Sequence, residues 1–211
     1  MTRTKALEVG GLIAIVALLA FGIGSIVVGA HALNTVSTSL KQQHITGDSK
    51  MTPTEVKAAF KVAGLSTVGA ELPTCSVAGV AITNGRDARC FAGYMRTDAL
   101  EATGGKTFSE MGMYLTPAGK PTSNKSEAAL KEGKPVTNAA REIWVEETAL
   151  STALNASYMA EQTAKFGIIV GVALVLIGLG FGALLLGAGV FRKESAPSSA
   201  FFREQSAPSS A

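Results

Sequence analysis

Cys75 and Cys90 are the only cysteines in 211 residues, and His31 and His44 the only histidines, so little nucleophilic, metal-ligating or general-base chemistry is on offer near neutral pH. A hydrolytic Ser-His-Asp set would have to be built on His44, since His31 sits at the edge of an apolar run. No serine lies in a nucleophile-elbow pattern. The two histidines are 13 positions apart, without the helical spacing or carboxylate partner of a zinc or iron motif. Both read as interfacial or surface residues. The cysteines read as a disulfide, because paired thiols outside the cytoplasm are oxidised; two buried thiols are the alternative. A redox-active pair is disfavoured by the absence of Cys-x-x-Cys spacing. Glu142, Glu146 and Glu147 read as the solvated face of a helix. Gly178 to Gly180 is too apolar in context to cradle phosphate. Asn124 with Ser126 and Asn155 with Ser157 match glycosylation sequons, a short pattern that matters only in a secretory eukaryotic setting.

Two stretches dominate everything around these residues. Val9 to Ala30 and Phe166 to Phe191 carry no charge. At about 1.5 Å per residue they make roughly 33 and 39 Å of helix, enough for a hydrocarbon core of about 30 Å. The reading is an N-terminus at 1–8, a transmembrane helix at 9–31, a domain at 32–165, a second transmembrane helix at 166–191 and a tail at 192–211. Arg3 and Lys5 before the first stretch, and Arg192 and Lys193 after the second, orient both termini to the cytoplasm of a plasma membrane. The central domain is then extracytoplasmic. A signal peptide ending at Ala30, His31 and Ala32 is the competing reading of the start, but the uncharged run exceeds the 7–15 residues of a signal core. Neither span interior holds an ionisable residue, which argues against a pump or transporter.

The central segment has 14 Lys and Arg against 13 Asp and Glu, spread evenly, so no basic stripe offers a nucleic-acid partner. Its punctuation is helical. Thr52, Pro53 and Glu55 cap a helix that Gly64 stops. Asn84 and Asp87 begin another, with Ala88, Phe91, Ala92, Met95 and Ala99 on one face and Gly104 and Gly105 at its end. A hairpin at Asn84 and Gly85 would leave the two cysteines out of register, so the helix is preferred and the disulfide ties it to the preceding loop. Thr107 with Glu110 and Asn124 with Glu127 predict short helices near 108–114 and 125–132. The expected class is all-α: two transmembrane helices bracketing a small helical extracytoplasmic domain.

From a cap at Asn138 nothing interrupts helix until Arg192, so the second span continues a long helix from the domain. One side of it is small: Gly167, Gly171, Gly178 and Gly182 form two Gly-x-x-x-Gly steps that let a helix backbone approach closely. The protein's own first span, a second copy and another membrane protein all fit that groove. After Arg192, FRKESAPSSA at 191–200 is nearly repeated as FREQSAPSSA at 202–211, a composition expected to be disordered.

Gln43, Ile45 and Thr46, the run Gly104 to Glu110 (GGKTFSE), and Glu147, Thr148, Leu154, Asn155, Ala156 and Tyr158 resemble a group of small two-pass membrane proteins of high-GC Gram-positive bacteria. Many of that group carry the name aromatic ring-opening dioxygenase. The resemblance implies an anchored helical domain. It does not supply the two histidines and a carboxylate that a non-haem iron site needs, so no cofactor is expected. The expected function is non-enzymatic: an interaction or accessory subunit of a membrane or envelope complex, a respiratory one being one version. An extracytoplasmic sensor transmitting through the two spans is the alternative.

Overall fold

The computed structural model describes residues 3–67 and 70–194. It is mostly helical, with four α-helices: α1 (Arg3–Gln42), α2 (Pro53–Val62), α3 (Gly85–Ala102) and α4 (Ala140–Glu194). Four two-residue strands lie between α3 and α4: β1 (Tyr114–Leu115), β2 (Pro121–Thr122), β3 (Leu130–Lys131) and β4 (Lys134–Pro135). The repeated tail beyond Glu194, where disorder is expected, lies outside the described residues.

By its contacts the chain divides into two compact units, Met1–Val28 with Gly167–Ala211 and Gly29–Phe166. In the first, α1 and α4 are long and apolar enough to cross a membrane. They run antiparallel there, since positions 11, 18–19, 22 and 25 of α1 meet 185, 178, 171 and 167 of α4 in that order. The outer faces present large apolar side chains, among them Phe21, Val28, Leu184 and Leu186, all exposed.

The second unit is a helical domain. Its core gathers Leu40, Val56, Val77, Ile82, Ala88, Tyr94 and Leu154. A smaller cluster joins Ala99, Met111 and Trp144. α1 extends well beyond its apolar run because Leu40 reaches that core, and it stops where His44 takes φ 51°. Helix starts obey the caps in the sequence. The Thr52 hydroxyl accepts from the Glu55 N–H at 3.2 Å, and the Asn84 side-chain Oδ1 from the Asp87 N–H at 3.0 Å. At α4 the Asn138 side chain accepts from the Ala140 N–H at 3.2 Å. The helix it opens is 55 residues long.

The expected helices at 108–114 and 125–132 are instead single 3-10 turns, Phe108–Glu110 and Lys125–Glu127, each leading into a hairpin. Each capping signal nucleates one turn, and a segment this short recovers too few hydrogen bonds to propagate. Glu132 and Gly133 then both take positive φ, 55° and 76°, as a two-residue turn between β3 and β4 requires. A Cβ on Gly112 would lie 2.8 Å from the Thr122 Cα, so chain crossing, not helix, decides that stretch.

The Cys75 and Cys90 sulfurs stand 2.06 Å apart, at disulfide distance. One turn further along α3, the Tyr94 hydroxyl donates to the Cys75 carbonyl at 2.6 Å, and burial raises the Tyr94 phenol above its usual pKa. Loop and helix are thus joined twice. Closing a loop across a sequence separation of 15 contributes about 3 kcal/mol by restricting the unfolded chain. Dithiothreitol, or the Cys75→Ser and Cys90→Ser pair, is expected to lower the domain's unfolding free energy by about that much; an unchanged urea midpoint refutes it.

Candidate functional site

The predicted glycines of α4 do not share one environment. A Cβ on Gly171 would come 2.6 Å from the Gly22 carbonyl, and one on Gly22 would come 2.8 Å from the Gly171 carbonyl. At that crossing, glycine is the only residue both backbones tolerate. Gly178 faces Leu18 and Leu19, and Gly167 faces Ser25, whose hydroxyl donates to the Gly167 carbonyl at 2.7 Å. In an apolar setting such a bond satisfies a hydroxyl that lipid could not. The occupant at Gly167, Gly171 and Gly178 is therefore α1 of the same chain. Gly182 stands apart, with nothing within 4 Å of a Cβ; Gly10, Gly24, Gly180 and Gly187 are equally open. The contacts fall on one face of each helix, at Gly11, Leu18, Gly22 and Ser25 of α1 and at Gly167, Gly171, Gly178 and Leu185 of α4.

In the domain, Glu161 combines burial with an ion pair. It is buried, accepts from the Gly85 N–H at 2.5 Å, and is ion-paired with Lys165 one turn on. Gly85 opens α3, so the carboxylate meets a helix N-terminus, where unpaired N–H groups favour negative charge. A Cβ on Gly85 would lie 2.7 Å from the Tyr158 Cα, and Arg89 rests 4.7 Å from the Tyr158 ring. Burial on its own raises the Glu161 carboxyl; Lys165, the Gly85 N–H and Arg86 outweigh it and hold the pKa below the usual value. The sequence pattern does not single out this residue.

Glu147 corrects an expectation in the same way. It is 5% exposed, not solvated, because it lies one turn from Trp144 and two from Leu154 on the packed face of α4. Glu142 and Glu146 are exposed as expected. The GGKTFSE run turns out to clasp α4: the Lys106 carbonyl accepts from the Trp144 indole at 2.9 Å, and Arg141 lies 3.8 Å from the Phe108 ring. Ile45 and Thr46 pair with Ala81 and Ile82. Ile45, Thr46, Lys106 and Phe108 thus join segments, whereas Gln43, Thr148, Asn155 and Ala156 are exposed.

His31 and His44 are both exposed, and among the described residues no group of three or more His, Cys, Asp and Glu could hold a metal ion. Three cavities among the described residues of the domain bear on function. One, about 660 Å³, includes Glu71, Arg96 and Thr107; a second, about 500 Å³, is edged by Asp48, Lys50, Glu55, Asp98 and Glu101. Desolvation first, then Glu101 and Asp48, raise the Asp98 carboxyl. The third, about 260 Å³, lies between α1, α3 and α4 and has no charged side chain in its lining.

Gly171→Leu or Gly22→Leu is expected to cost about 1–3 kcal/mol by forcing the backbones apart, against near neutrality for Gly180→Leu; thermal unfolding in bicelles measures the difference. For Glu161 the folded pKa lies below the unfolded one, so its contribution is present above the usual value of about 4.5 and lost as pH falls through the folded value. Glu161→Gln is expected to remove about 1–2 kcal/mol at pH 7 and to flatten that acid limb. Unfolding followed across pH 2–7 reads both effects.

Comparison with known protein families, with curated proteins and with solved structures gives no match for this chain.

Proposed function

We propose that the chain is an integral membrane protein whose two apolar helices cross a bilayer at 9–31 and 166–191, with both termini cytoplasmic and the disulfide-linked domain outside. We further propose that it works without catalysis, as an interaction or accessory subunit of a membrane or envelope complex. The length and apolarity of α1 and α4 support insertion. Basic residues flanking the two stretches support the orientation.

One observation carries the subunit reading. The two helices hold each other through Gly22, Gly171 and Gly178, while Gly10, Gly24, Gly180, Gly182 and Gly187 have open space where a side chain would stand. A helix of another membrane protein, or of a second copy, fits such positions by backbone approach.

The sensor reading draws on a different observation. The uncharged cavity of the domain is lined by both α1 and α4, the two helices that also carry the apolar stretches. A ligand there would touch both.

Extraction in mild detergent and mass spectrometry of co-purifying proteins are expected to return a reproducible membrane partner, lost in Gly24→Leu or Gly180→Leu. A bound small ligand with no partner replaces the subunit reading with the sensor. Recovery of the intact chain in a carbonate-washed soluble fraction overturns both.

A further inference from the structure

The third cavity of the domain differs from the other two in chemistry. Leu40 and Leu154, both buried, belong to the core and form its floor; Ile45 and Phe91 are partly buried walls. Leu150, half exposed, forms a lip. An ion entering would lose hydration and meet no counter-charge among the lining residues. Apolar recesses of this kind take apolar guests.

The polar groups at the cavity are neutral and differ in availability. The Ser157 hydroxyl is turned back onto the Ala153 carbonyl at 3.2 Å. The Ser39 hydroxyl and the Gln43 carboxamide are exposed and form no hydrogen bond to the protein among the described residues. Gln43 brings both a donor and an acceptor to the mouth of an apolar recess. At about 30 Å³ per water-sized group, 260 Å³ holds roughly eight or nine such groups, a short hydrocarbon segment and not a whole lipid.

We propose that this cavity binds the hydrocarbon end of an uncharged amphiphile, whose neutral polar end, a hydroxyl or carbonyl, hydrogen-bonds to Gln43 and Ser39. The site belongs to the domain alone and stands or falls apart from the subunit reading. Its ligand is the kind of molecule the sensor reading needs.

The test uses the full chain in phosphatidylcholine nanodiscs, photolabelled with a diazirine-bearing fatty alcohol, the matching fatty acid and the matching alkane, and mapped by mass spectrometry. The alcohol is expected to label Phe91 or residues 150–157 in preference to the ionised acid. Ala153→Trp, which fills the recess, is expected to lower that labelling about tenfold with helix content retained. Gln43→Ala is expected to weaken labelling by the alcohol more than by the alkane. Should Ala153→Trp unfold the domain, Leu150→Lys at the exposed lip replaces it, and is expected to shift preference from alcohol to acid. Labelling confined to 9–31 and 166–191, equal labelling by acid and alcohol, or labelling unmoved by the substitutions overturns the proposal. Cavity labelling without a co-purifying protein sinks the subunit reading alone; a partner without cavity labelling sinks this site alone.

Discussion

Backbone contact with α4 is the constraint on which the structure turns. In the helical pair, Gly22 lies against Gly171 so closely that neither accepts a Cβ. In the domain, Gly85 lies against Tyr158 and gives its N–H to Glu161. The Lys106 carbonyl reaches the Trp144 indole. Each case brings main chain, not side chain, to the surface of the same helix. Approach at that range gains dispersion and hydrogen bonding together, and it tolerates almost no change in volume. The small residues of this chain are therefore positional requirements at a few places and open surface at others.

The helical frame was legible because its signals are local. Thr52, Asn84 and Asn138 cap the helices that their positions announce, and the uninterrupted run after Asn138 is a single helix. The stretch between α3 and α4 was not, because capping residues at Thr107 and Asn124 announce a start without saying how far propagation goes. Their turns end at once, and the chain beyond them is shaped by Gly112 crossing Thr122 and by the Glu132 and Gly133 turn. Glu147 and Glu161 escaped for a related reason. Periodicity counts a carboxylate as surface, whereas a helix N-terminus, a lysine one turn away and neighbouring aromatics make burial tolerable. The glycine stripe was visible, but its occupants were not: spacing says that something can come close, not what does.

Lys106, Phe108, Glu147 and Tyr158 sit at these joints. Phe108 under Arg141, Glu147 near Trp144, and Tyr158 between Gly85 and Arg89 shape how loops meet α4. Such positions keep a domain in one arrangement. The cavity lined by Leu40, Phe91 and Leu154 lies among them, so the same packing that fixes the helices also shapes the uncharged recess.

Because the groove at Gly167, Gly171 and Gly178 is filled from within the same polypeptide, its occupancy does not depend on how many copies are present. Two tethered helices meet at an effective concentration set by the connecting chain, which dilution cannot lower. Crowding or expression level can then alter only associations made elsewhere on the surface, and the internal pair persists in a single isolated molecule.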